Sequence, residues 1–485
     1  MKKNLPYLLL LLTFAYTGSI ISQDVSGLIF TTSSNEAKSY FSQGLKYADA
    51  GDQRRAREAF GRAIEQDPKL AVAYIYKANY AITPQEFADN LKMAKQNLST
   101  ASDWEKLFYE FTASYLNDDM NKRLAATEKM VQLFPEMARS YLYLGEAYSS
   151  EKNYEKARQQ YLKAIEMEPT WPMSYAALTN SYLFDSPTDF AKAEEMANKL
   201  LTLSPTAQAQ ILLGDVYRAQ NNLQKASEAY KKAVELDKES PVAFYKSGHA
   251  HTFMGEYEQA RSDYEQAGKL DVMPTFSKQC IANTFLYQDQ PAQALKIMLD
   301  EAAQAVYLED AAKITSARYD LLSAAAQIAF HMKDADQLQS ILESLKPLSE
   351  ETGRTLGSEE ARLNQKSNVL YWKGMIKALK GDYQNATAKA EEIKTLLQPI
   401  QNPRKLESYH ELMGFISYSE KDFAKATEHF AKTNLQNMYN KYWLAKAYES
   451  AGQKEEATTL YKEIANYNFN NIGYALVRSE VIKKI

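Results

Sequence analysis

His249-Ala250-His251 is the closest pairing of histidines in the sequence. A shared zinc ion would need both imidazoles on one side of their element. On a helix, residues two apart point about 200° from each other, so this pair cannot close on one ion. The HExxH spacing that sets two histidines one turn apart is absent. The other histidines are His331, His410 and His429. Cys280 is the only cysteine and lies beside Ile281, so it forms no internal disulfide and suits a small buried side chain. There is no phosphate-binding glycine loop, no GxGxxG run and no GxSxG elbow. The acidic pairs Glu194-Glu195 and Glu359-Glu360 fall on charge-rich helical stretches, and Asp118-Asp119 falls in a turn, where aspartate is common. These patterns lead us to expect no catalytic residue, no metal site and no cofactor: the chain reads as non-enzymatic.

The remaining candidates for function are binding residues, and these depend on the elements that carry them. The 485 residues are 45% hydrophobic and 24% charged, the balance of a folded soluble protein. The net charge of −4 is spread in mixed sign, with no basic tract, so no nucleic-acid partner is expected. The first 22 residues differ from the rest. Lys2-Lys3 precede an apolar run from Leu5 to Tyr16, then the small residues Gly18, Ser19 and Ser22, and polarity returns at Gln23-Asp24. This order predicts a signal peptide cut after Ser22, and so an exported protein, periplasmic or secreted if the source is bacterial. Membrane association is expected only if that segment is kept as an anchor.

A ladder of small and aromatic residues recurs through the chain. Gly145, Tyr148, Ala157, Tyr161, Ala164 and Pro169 match Gly44, Tyr47, Ala56, Phe60, Ala63 and Pro68. Gly214, Tyr217, Ala226, Tyr230 and Ala233 repeat it, as do Gly248, His251, Ala260, Tyr264 and Ala267. A period near 34 residues signals stacked supersecondary units, each a pair of helices joined by a short turn. Worn units are expected around Ala78 and Phe111, where Phe111 fits the small-residue position poorly and predicts altered packing. Others centre on Leu178 and Ala282, and the pattern resumes at Gly374, Gly414 and Ala445. Phase is lost between Glu301 and Leu356. The polar stretch SEETGRTLGSEEARLN, with Gly353 and Gly357, predicts a loop between two lobes.

Residues 138–171 resemble the tetratricopeptide repeat family at nearly every signature position, with Tyr141 where the family often has Trp and Leu144-Gly145 as its Leu-Gly pair. Residues 37–70, 207–240 and 241–274 are similar to it with single departures at Lys238 and His251. The resemblance implies an all-α solenoid, a superhelix of antiparallel helix pairs in two lobes. It divides the chain into an N-terminal array over 37–300, an irregular helical connector and loop over 301–357, repeats over 358–470 and a capping helix over 471–485. In this family, positions flanking the packing stripe of each first helix line a concave groove. The matching residues are Glu146, Asn180, Asp215, Arg218, Tyr245, His249 and Asn283 in the first lobe, and Phe415, Tyr418 and Tyr442 in the second. The implied function is a protein-interaction scaffold that binds a peptide or helix of a protein partner in that groove. The alternatives are a carbohydrate or envelope-polymer binder using groove aromatics, and a regulatory repeat module of an enzyme complex.

Overall fold

The structure is a computed structural model that describes residues 21–23 and 28–485. The expected leader therefore lies outside the described residues except for Ile21 and Ser22. Two short strands, β1 (Ile21–Gln23) and β2 (Ile29–Thr31), pair antiparallel with Ser22 opposite Phe30. Every regular element after them is a helix. Eight helix pairs follow, from Asn35–Asp49 with Gln53–Gln66 to Thr275–Leu286 with Pro291–Gln304. Ala78 and Phe111 lie on the first helices of the second and third pairs, Ala71–Asn79 and Asp103–Ala113.

The turn inside each pair has a local cause. In six of the eight pairs one residue adopts positive φ: Gly51 (78°), Asp118 (49°), Lys152 (62°), Asn221 (60°), Gly255 (81°) and Asp289 (57°). An N-capping Asp or Asn then often begins the second helix. Asp52, Asp119, Asn153, Asp189 and Asn222 each accept a backbone N–H from the residue three positions on. That bond satisfies one of the orphan donors of the new helix.

Packing between the paired helices follows a rule of complementary volume. A β-carbon placed at Gly145 would lie 2.7 Å from Tyr161 Cδ1 and closer still to Cε1. Gly44 faces Phe60, Gly214 faces Tyr230, Gly248 faces Tyr264 and Gly414 faces Phe430 in the same way. The glycine thus makes room for the ring sixteen residues later. At Phe111, where the small residue is lost, the later residue shrinks, and at Ala78 both positions are small. Phe111 is followed at that offset by Thr127 and Ala78 by Ala94, and all four are buried. The altered packing expected at Phe111 takes this form: its ring turns forward to Tyr143 of the next pair, 5.3 Å away. Gly374 departs from the rule, because its space is taken by Leu412 of the following pair and Ala390 stands at the ring position.

The ends are capped, as an array with exposed apolar faces requires. Leu28 and Phe30 are fully buried, and Phe30 meets Phe41 at 4.6 Å. At the other end the helix Ile472–Ile482 packs on the pair Met438–Ser450 and Lys454–Ala465. One superhelical turn also brings the first pair near the sixth and seventh, where Arg54 meets Glu239 at 3.3 Å.

The stretch expected to be a loop is instead helical. Ala335–Leu356 is one helix and Glu359–Leu379 the next, leaving only Gly357 and Ser358 between them. Gly357, at φ 74°, caps the first, and Ser358 accepts the Ala361 N–H to start the second. The long antiparallel helices here, including Ala311–His331, bury Leu321, Leu338, Ile341 and Leu345, and that burial outweighs the local polarity. One apolar cluster runs through this region from Phe253 to Val481.

The second half of the chain returns along the first. Ser358 donates to the Leu116 carbonyl and Asn402 to Asp118 (2.6 Å). Farther along, Glu407 pairs with Lys152 (3.1 Å), Gln436 donates to Tyr154 (2.8 Å), Asn468 donates to Asn221 (2.9 Å) and Lys483 pairs with Asp289 (3.3 Å). Asp118, Lys152, Asn221 and Asp289 are the positive-φ turn residues, so this edge of the array carries the long-range contacts.

Candidate binding groove

Of the flank positions of the first helices, Asp215, Arg218, His249 and Asn283 stand on three successive pairs. All four are buried. Asp215 accepts from Arg218 (2.9 Å), Lys246 (2.6 Å) and the Tyr230 hydroxyl (2.7 Å). Burial would raise the Asp215 carboxyl, but Lys246 and Arg218 outweigh it and hold the group below its ordinary range. Burial, with Arg218 and Lys246 adding to it, holds His249 well below the usual histidine range, so its imidazole is neutral.

These residues are engaged by the chain itself. After the helix Lys454–Ala465, residues 467–471 leave regular structure and lie against these side chains. The Phe469 ring sits 4.5 Å from the Arg218 guanidinium and edge-on to Phe184 at 4.8 Å. Asn470 makes the central contact. Its amide nitrogen donates to the Tyr264 hydroxyl (3.3 Å) and faces His249 Nδ1 (3.2 Å). Its amide oxygen accepts from Asn283 (3.3 Å) and the Tyr287 hydroxyl (3.1 Å). His249 and Thr252 in turn hold the Tyr264 hydroxyl at 2.8 and 2.9 Å. An asparagine side chain, which donates and accepts as a peptide unit does, is therefore read on both its atoms.

Other flank residues are placed differently. Tyr245 belongs to the packing. It is buried, its hydroxyl donates to Asp271 (2.8 Å) and its ring meets Phe276 edge-on at 4.8 Å. It lies one turn before His249, at the end where the next pair's first helix begins, and Phe276 closes over it. Phe415 is also core, edge-on to Phe330 (4.8 Å) and Trp443 (5.3 Å). Tyr442 is buried and donates to Glu480 of the C-terminal helix at 2.5 Å, with Lys446 pairing to the same carboxylate. Tyr418 is half-buried with its hydroxyl near Ser450, and Asn180 is exposed.

Glu146 is half-buried beside a cleft of about 210 Å³ on the inner face of the first five pairs. Burial pushes its carboxyl up to about 7, against the pull of Arg139. Arg139 is itself committed to both carboxylate oxygens of Asp49, at 2.8 and 3.0 Å, and to the Trp171 face. Tyr76 and Tyr143 are joined through their hydroxyls at 3.1 Å.

Asn470, Phe469, Tyr264, Tyr287 and Lys246 are functional neighbours that the flank rule does not select. The signal for the first two is the run Asn466-Tyr467-Asn468-Phe469-Asn470-Asn471, which begins where the last repeat ends. Among the described residues, no group of three or more His, Cys, Asp or Glu could hold a metal ion, and no helix is long and apolar enough to cross a membrane.

Comparison with known proteins agrees with the helix pairs. Family models described as tetratricopeptide repeat match residues 138–171, 242–271 and 439–468, and one described as TPR repeat matches 214–254. Anaphase-promoting complex subunit 3 of Schizosaccharomyces pombe is 23% identical over 152 residues, 31% of this chain; the chain spans about a quarter (23%) of that relative's length. Among solved structures, YrrB, titled a TPR protein with an unusual peptide-binding site, is 21% identical, covering 37% of this chain and 91% of its own, with a TM-score of 0.27. A thermophilic TPR protein of Thermus thermophilus is 17% identical, covering 44% and 98%, with a TM-score of 0.28. The fold assignment rests on the repeat models and on the helix pairs, not on these two alignments.

Proposed function

We propose that this tetratricopeptide repeat protein is an exported scaffold that holds an extended segment of a protein partner along the concave face of its superhelix. The repeat fold is a protein-interaction fold; export and the binding mode are the parts inferred. The observation that carries it is the seating of residues 467–471. Polar side chains from three successive repeats converge on one irregular, asparagine-bearing segment. A face that reads both atoms of one amide in its own chain has the chemistry to read those of a partner. Stacking of sugars finds no support at Tyr245, Phe415 or Tyr442, whose rings are buried.

The test uses the full chain carrying Phe469→Ala and Asn470→Ala, which removes the ring over Arg218 and the amide over His249. A synthetic peptide of residues 465–473 should bind this variant and bind the parent far more weakly, because the parent's groove is occupied. Equal or absent binding to both, with the fold kept by circular dichroism, would sink the groove reading. Export rests on Lys2-Lys3 and the apolar run to Tyr16. Terminal sequencing of protein recovered outside the cytoplasm should begin at Gln23. A cut after Ser22 would leave only Gln23 of β1, so the strand pair belongs to the uncut chain.

A further inference from the structure

The cleft beside Glu146 differs from the rest of the inner face in one respect: its carboxylate is unspent. Asp215 is matched by Arg218 and Lys246, Asp49 by Arg139, and Glu411 accepts from Asn440 at 2.7 Å. Among the described residues, Glu146 makes no hydrogen bond through its carboxylate and no ion pair. Arg139 also lines the cleft, but its charge is given to Asp49 and its face to Trp171. The walls are aromatic, formed by Tyr76, Tyr80, Phe111, Tyr115 and Tyr143. A half-buried carboxylate without a partner is costly, and the cost is relieved when a cation arrives. Aromatic faces add their own attraction for a cation that has left water.

We propose that this cleft is a subsite for an alkylammonium group, supplied by a lysine side chain of the bound peptide. The proposal rests on the groove reading above and adds the chemical class of one partner residue. The apolar walls take the methylene stem and Glu146 takes the charged tip. The volume of about 210 Å³ suits a side chain rather than a folded element.

The groups that face Glu146 come from several helices. They are Tyr80 from the second pair, Tyr115 from the third, and Arg139, Tyr143 and Tyr161 from the fourth, with Tyr76 lining the same cleft and Asp49 paired to Arg139. Burial keeps these tyrosines neutral and Arg139 stays charged in its pair. Between pH 6 and 8 the group that titrates here is therefore Glu146, whose carboxyl loses its proton near 7.

The experiment is ligand-observed NMR titration of the full chain and of Glu146→Gln. The probes are N-acetyl-lysine N-methylamide, n-butylammonium and the neutral N-acetyl-norleucine N-methylamide. Both cations should bind the parent, more tightly at pH 8 than at pH 6, and the norleucine amide should bind weakly at either pH. Glu146→Gln should weaken both cations about tenfold or more and remove the pH dependence. Unchanged cation binding in the variant, or norleucine bound as well as lysine, would overturn the proposal. Binding of butylammonium but not of the lysine amide would overturn the peptide as its source. In the Phe469→Ala, Asn470→Ala background the 465–473 peptide reads the groove separately, at Arg218 and Asn283. Loss of this subsite with that peptide still bound would sink this inference alone.

Discussion

Gly145 and Tyr161 allow the volume rule to be tested against a competing effect of similar size. Gly145→Ala removes a glycine from the middle of Ala138–Ser150, which by helix propensity alone should stabilise by about 0.8–1 kcal/mol. The new β-carbon, however, would stand 2.7 Å from Tyr161 Cδ1 and nearer to Cε1, inside the distances that real contacts show. Tyr161 is 4% exposed, so its ring cannot swing into solvent without uncovering the core. Overpacking of this kind costs roughly 1–3 kcal/mol. Steric cost should therefore outweigh propensity, leaving a net loss of up to about 2 kcal/mol. Gly61→Ala is the control: it is also helical, but nothing lies within 4 Å of its β-carbon, so it should stabilise. Hydrogen exchange is the suitable assay, because repeats open locally and a global midpoint would dilute the effect. Protection should fall within 138–167 for Gly145→Ala and rise within 53–66 for Gly61→Ala. Tyr161→Ala will itself destabilise by about 3–5 kcal/mol. In that background Gly145→Ala should become neutral or stabilising, a coupling that a double-mutant cycle measures. If Gly145→Ala raised protection as Gly61→Ala does, or if the two substitutions simply added, the volume rule would be wrong.

Asp49→Asn should cost about 3–5 kcal/mol in urea unfolding, because it leaves the Arg139 guanidinium, 4% exposed, without its anion. Tyr245→Ala should cost about 3–5 kcal/mol of stability, since the ring is core; a melt unchanged from the parent would contradict its placement. The pH dependence should carry a recognisable sign at Glu411. Burial lifts its folded pKa from 4.5 to about 7, so the unfolded chain gives up its proton first. Stability from this group is present below about 4.5 and is lost as pH rises through 7. Glu411→Gln should flatten that decline in urea titrations at pH 5, 6, 7 and 8.

The periodicity of Gly145, Ala157, Tyr161 and their counterparts was enough to place the helix pairs, because those contacts are made within one unit and recur at fixed offsets. The same locality explains the clear turn residues, where positive φ and an N-cap are decided by neighbours in sequence. The stretch from Ser349 to Asn364 misled because its polarity and glycines are local cues, whereas its helices are held by apolar burial against distant residues. Groove membership was only partly legible. Asp215, Arg218, His249 and Asn283 follow from helical phase, but Tyr245 has the same phase as His249 and is core, because Phe276 of the next pair covers it. The flank rule also cannot say whether a groove is open. That depends on where residues 467–471 travel, some two hundred residues beyond the side chains they touch. Repeat spacing by itself therefore determined the fold and the face on which binding is expected. Only the tertiary structure decided which part of that face the chain occupies itself and which part, around Glu146, it leaves unpaired. Stacking is a nearest-neighbour interaction written in each repeat, whereas closure of the second half onto the first is a sum of single long-range contacts with no period to read.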